Sequence, residues 1–67
     1  MYLSGWNIRR LMRKHHVTLR GLKGQHGVTL KRTREVRRDG VRGFMGDNWF
    51  WMITGRWPDE CGPGRHS

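Results

Sequence analysis

The chain predicts a small all-α domain of four short helices, on three observations. Apolar residues recur at i, i+3 and i+4 rather than in alternation. An Asn or Thr stands at the start of each of the first three helical segments, where a side-chain oxygen can cap a helix. Glycines follow the second and fourth segments, at the position that ends a helix. With 67 residues the chain makes one domain. A domain of that size buries only about 60% of the surface its unfolded chain exposes.

The first helix is expected over residues 7–15. Asn7 is its expected cap, and Ile8, Leu11 and Met12 form its apolar stripe, with Arg9, Arg10, Arg13 and Lys14 on the other side. It ends near His15 and His16, where positive charge suits the helix dipole. Val17 then precedes Thr18, the expected cap of a second helix over 18–26 with Leu19 and Leu22 on its apolar edge. Gly27 ends that helix, and Val28 leads to Thr29, the cap of a third helix over 29–38. On this helix Leu30, Thr33, Val36 and Arg37 share one face. Lys31, Glu35 and Arg38 lie opposite, flanked by Arg32 and Arg34. "DGVRGFMG" at 39–46 reads as a glycine-rich loop. "DNWFWMITG" at 47–55 reads as a fourth helix over 47–54, capped by Asp47 and stopped by Gly55. The organisation expected is a basic module at 1–46, an aromatic helix of the same domain at 47–57, and a flexible tail at 58–67. No internal repeat is present.

Charge narrows the function. Fourteen Lys and Arg oppose five Asp and Glu. The excess is confined to one part of the chain. Residues 1–46 hold twelve basic residues against two acids, a net of +10, whereas residues 47–67 hold two against three, a net of −1. A basic module of this density points to a polyanion, most often nucleic acid. The longest apolar run, "WFWMI" at 49–53, is far short of a membrane span. No signal peptide pattern opens the chain. Disulfides are excluded because Cys61 is the sole cysteine. His15, His16, His26 and Cys61 match no paired zinc-ligand spacing. No cofactor or metal is expected, no nucleophile–base set is visible, and a cytoplasmic protein without enzymatic activity is the expectation.

A helix of about eight residues, a glycine turn and a helix of about ten have the spacing of a helix-turn-helix. Val17–Thr18, Leu22 and Gly27–Val28–Thr29 resemble, in order and type, the Cro and phage-repressor (XRE-like) family. The resemblance covers residues 7–40. "VTLKRTREVRRDGVRG" is also similar to small helix-turn-helix proteins of plasmids and phages. Two positions depart from the family. Lys23 stands where it has alanine between the helices, and Thr33 where it prefers valine or isoleucine. Gly21 and Gly24 each weaken the second helix by roughly 1 kcal/mol relative to alanine.

The resemblance implies a fold, a partner and a site. Duplex DNA is the implied partner, and regulation of transcription in a phage or plasmid is the implied role. The early exposed positions of the third helix reach base edges in that family. Here those are Leu30, Lys31 and Arg34, with Glu35 a turn later. Lys or Arg can read guanine O6/N7, Glu can accept from cytosine N4, and Leu can touch a thymine methyl. Arg9, Arg10, Arg13, Arg20, Arg32, Arg37, Arg38 and Arg42 are the expected phosphate contacts.

The aromatic segment admits other uses. Trp49, Met52 and Ile53 share one face and suit a core that Trp6 packs near. The chain nevertheless holds four Trp, two Phe and four Met, a surplus that suggests a homodimer or partner surface through Trp49, Phe50, Trp51 and Trp57. Stacking on single-stranded bases is a further use of such residues. The rival to the DNA reading is a mobile-element inhibitor of host defence, an anti-CRISPR protein in its sharpest form, that binds a protein or ribonucleoprotein. A basic chain that folds only on RNA is a third reading.

Overall fold

Four helices follow one another with short connections in the computed structural model, which describes residues 1–58. They are α1 (Gly5–Lys14), α2 (Leu19–His26), α3 (Leu30–Asp39) and α4 (Gly43–Thr54). No strand occurs among the described residues. Leu3 and Val41 make one isolated antiparallel bridge, exchanging two N–H···O bonds of 2.8 Å each.

Side-chain caps set three of the four helix starts. Ser4, not Asn7, caps α1: its Oγ accepts from the Asn7 N–H at 3.1 Å. Thr18 accepts from Gly21 N–H at 2.9 Å and Thr29 from Arg32 N–H at 3.0 Å, as expected. α1 ends in paired back-bonds, His16 N–H to the Arg13 carbonyl at 3.2 Å and Val17 N–H to the Met12 carbonyl at 2.8 Å. His16 there takes a left-handed φ of 57°, a place usually given to glycine or asparagine. Gly27 (φ 70°) ends α2 and Gly55 (φ 79°) ends α4, both in the expected left-handed conformation.

The fourth helix starts earlier than expected. Residues 43–46 belong to α4 rather than to a loop, so the boundary drawn at 46/47 falls inside a helix. No side chain caps α4. Asp47 instead receives the Met1 α-amino group at 2.7 Å, and that amine also donates to the Gly43 carbonyl at 3.2 Å. Residues 56–57 turn back on α4: Arg56 N–H donates to Thr54 Oγ1 at 3.1 Å, and Trp57 stacks on Trp51. Of the flexible tail expected at 58–67, residues 59–67 lie outside the described residues.

Every helix contributes to one core. Ile8 and Met12 come from α1, Leu22 from α2, Val36 from α3, and Trp49, Met52 and Ile53 from α4, closed by Leu3 and Val41. Burying such a side chain fully stabilises by about 1.5–3 kcal/mol. Thr33 is buried too, and its hydroxyl donates to the Thr29 carbonyl at 3.0 Å. With that bond made, threonine fills the position as a β-branched aliphatic would. Lys23 is exposed, so its charge is not buried between the helices. Trp6 is 65% exposed and does not join the core, because α1 buries Gly5, Ile8 and Met12 on its inner face.

Candidate nucleic-acid interface

α3 separates its residues by helical periodicity. Thr33 and Val36 turn inward, and α3 makes its most extensive contact with α1. Lys31, Arg34 and Arg38 stand exposed on the opposite side, and with half-buried Glu35 they border a shallow depression. The fold thus brings together three of the four expected base-reading residues. Leu30, the first residue of α3, is half-buried and lies outside that depression.

A second depression joins α3 to α1. Arg9, Arg34, Arg37 and Arg38 line it. The juxtaposition follows from Gly5, whose missing side chain lets the start of α1 press against the Arg37 backbone carbonyl. Arg9 lies one turn beyond Gly5 and so faces the same end of α3. Arg37 is half-buried, and its Nε is buried with no hydrogen-bond partner.

Ion pairing touches few of these cations. Arg38 makes two 3.1 Å hydrogen bonds to Asp39. That hydrogen bond holds the Asp39 carboxyl below the usual carboxylate range and raises Arg38 in turn. Arg32 Nη1 sits 3.7 Å from a Glu35 oxygen, an exposed pair. Such solvent-exposed pairs are screened by salt and break readily. Among the described residues, Arg9, Lys31, Arg34 and Arg37 have no carboxylate partner within salt-bridge distance.

The remaining phosphate candidates lie elsewhere. Arg10 and Lys14 flank a groove of about 350 Å³ with Leu3, Asn7, Leu11 and Phe50, between α1 and α4. The Arg42 guanidinium lies 5.8 Å from the centre of the Tyr2 ring. Arg13 and Arg20 are exposed but border neither depression on α3. The convergence of Arg9 with the C-terminal half of α3 escaped the sequence reading. Its one signal was the four-residue step from Gly5 to Arg9.

The aromatic residues divide differently from expectation. Trp49 is 2% exposed and belongs to the core, which corrects its expected place at an interface. Trp51 stacks on Trp57 with ring centres 5.3 Å apart and meets His26 edge-on at 5.2 Å. Phe50, Trp51 and Trp57 are half-buried. Among the described residues the large exposed apolar side chains are Met1, Tyr2, Trp6, Phe44 and Met45, all outside residues 49–57.

No group of three His, Cys, Asp or Glu that could hold a metal ion occurs among the described residues. No helix there is long and apolar enough to cross a membrane. No family model, curated protein or solved structure matches the chain with significance.

Proposed function

We propose that the chain binds duplex DNA, with α3 entering the major groove, and acts as a small transcriptional regulator. One observation carries the reading. Lys31, Arg34 and Arg38 stand exposed on one side of α3, in a chain whose first 46 residues carry twelve basic residues against two acids. The turn supports it. α2 and α3 are joined by three residues, with Gly27 left-handed and Thr29 capping α3. In a pair of this kind the second helix presents its early residues to base edges. Lys31 is then suited to guanine O6/N7 and Glu35 to cytosine N4.

A salt titration of binding to random and selected duplexes tests this. Log affinity is expected to fall linearly with log salt, by about 0.9 per phosphate contact. Lys31→Ala should cost about 1–3 kcal/mol on a selected site and little elsewhere. Absence of any enriched site, with only non-specific affinity near 10⁻⁴–10⁻⁶ M at physiological salt, rejects the regulator. A second reading, an inhibitor of host defence docking on a protein or ribonucleoprotein, is favoured by the exposure of Trp6 and Phe44, at 65% and 74%. The same result would move the assignment there.

A further inference from the structure

Four arginine side chains, those of Arg9, Arg34, Arg37 and Arg38, line the depression between α1 and α3. Their mutual attraction cannot have assembled it, since like charges repel. The core assembles it. Gly5 seats α1 against the Arg37 carbonyl, and Ile8, Thr33 and Val36 are buried beside that contact. The repulsion is therefore imposed by the fold, and one carboxylate, that of Asp39, pairs with any of the four among the described residues.

Arg37 adds a second, independent observation. Its Nε is buried and has neither a protein acceptor nor access to solvent. Buried donors are ordinarily paired, and leaving one unmade is costly. Packing, rather than a hydrogen bond, holds this guanidinium at the wall of the depression. A planar guanidinium presents a fork of donors that matches the oxygens of a phosphate. Four of them from two helices suit a compact, multiply charged oxyanion, and a space of about 270 Å³ suffices for one phosphate group.

We infer that this depression is a discrete site for a single phosphate group, which on DNA is a backbone phosphate beside the groove that α3 enters. The identity of the phosphate as DNA rests on the duplex-binding reading above. One consequence departs from the family resemblance. Arg34 belongs to the phosphate site, so base discrimination falls to Lys31 with Glu35.

Two measurements on the full chain test it. In the first, inorganic phosphate is titrated into free protein at constant ionic strength, with the arginine Nε–H resonances followed by NMR. A saturable shift of the Arg34 Nε–H, on an exposed side chain lining the depression, that is lost in Arg9→Ala is expected. Arg9 is exposed, so that variant keeps the test independent of folding. In the second, salt-dependent binding is compared on a selected and a random duplex. Arg34→Ala should weaken both equally and lower the salt slope by about one, the release expected for one phosphate. If Arg34→Ala instead removes discrimination between the duplexes and leaves the slope unchanged, the site is rejected. Duplex binding with no phosphate saturation, and with the parent slope in Arg9→Ala and Arg34→Ala, rejects the site and leaves the DNA reading standing. Saturable phosphate binding without duplex affinity rejects the DNA reading and leaves the site.

Discussion

Gly5 has no room for a side chain. A Cβ there would collide with the Arg37 carbonyl oxygen, and backbone on both sides leaves nothing flexible to give way. Gly5→Ala is expected to destabilise by about 1–3 kcal/mol, the usual cost of overpacking, and to disturb the arginine cluster that this contact positions. Gly24 is the opposite case: it is exposed inside α2 with nothing within 4 Å of an added Cβ. Gly24→Ala is expected to stabilise by about 1 kcal/mol. Chemical denaturation of the two variants checks both signs, and a loss in Gly24→Ala would contradict the open environment. Thr33 makes a third case. Thr33→Val discards a hydroxyl whose acceptor, the Thr29 carbonyl, also receives the Thr33 N–H at 3.0 Å. No buried polar group is orphaned, so a change within about 1 kcal/mol is expected. A much larger loss would show that the hydroxyl bond itself holds the start of α3.

Among the elements, α2 is the weakest. It has eight residues, two of them glycines in its interior, and one fully buried side chain, Leu22. Its cap therefore carries a large share of its stability. Thr18→Ala and Thr29→Ala should each cost about 1 kcal/mol globally. Hydrogen exchange should separate them. Thr18→Ala is expected to deprotect α2 by local opening, whereas α3, which packs on α1 and buries Thr33 and Val36, should lose protection only with global unfolding. Equal local deprotection in both variants would contradict this ranking. The α2–turn–α3 boundaries were legible in the sequence because Thr18, Gly27 and Thr29 act locally, each through its own backbone or a neighbour three residues away. The starts of α1 and α4 were not. Gly5, Gly43 and Gly46 resemble loop residues, yet Gly46 lies against the Met1 carbonyl as Gly5 lies against Arg37. Gly5 and Gly46 serve contacts between segments distant in sequence, which no local pattern encodes. α4 also lacks a side-chain cap that could have announced it. The core role of Trp49, Met52 and Ile53 was legible from their spacing, while the stacking of Trp57 on Trp51 depends on the chain reversal after Gly55.

Charge is a property of the whole molecule, and the concentration of positive charge in residues 1–46 was plain from the sequence. Which arginines converge was not, because that depends on the way α1 crosses α3. Each of the three carboxylates among the described residues is already in an ion pair, Glu35 with Arg32, Asp39 with Arg38 and Asp47 with the Met1 amine. The remaining cations repel one another across a molecule whose radius of gyration is 11.8 Å. That distance is close to the Debye length of about 10 Å at 0.1 M salt. At low salt most cations therefore feel most others, and the compact state is destabilised by self-repulsion. Two opposite salt responses are expected from this one cause. Between about 50 mM and about 200 mM salt, the melting temperature of the free protein should rise while affinity for duplex DNA falls steeply. Thermal denaturation and binding measured in the same buffers check the pair. Arg10→Glu isolates the first response: Arg10 is exposed, lies in the middle of α1 away from its dipole ends, and is outside both depressions on α3. The variant should melt higher than the parent at low salt, and the two should converge as salt is added. A melting temperature that falls with salt in the parent, or an Arg10→Glu gain that persists at high salt, would mean that local packing rather than collective repulsion sets the stability of this basic fold.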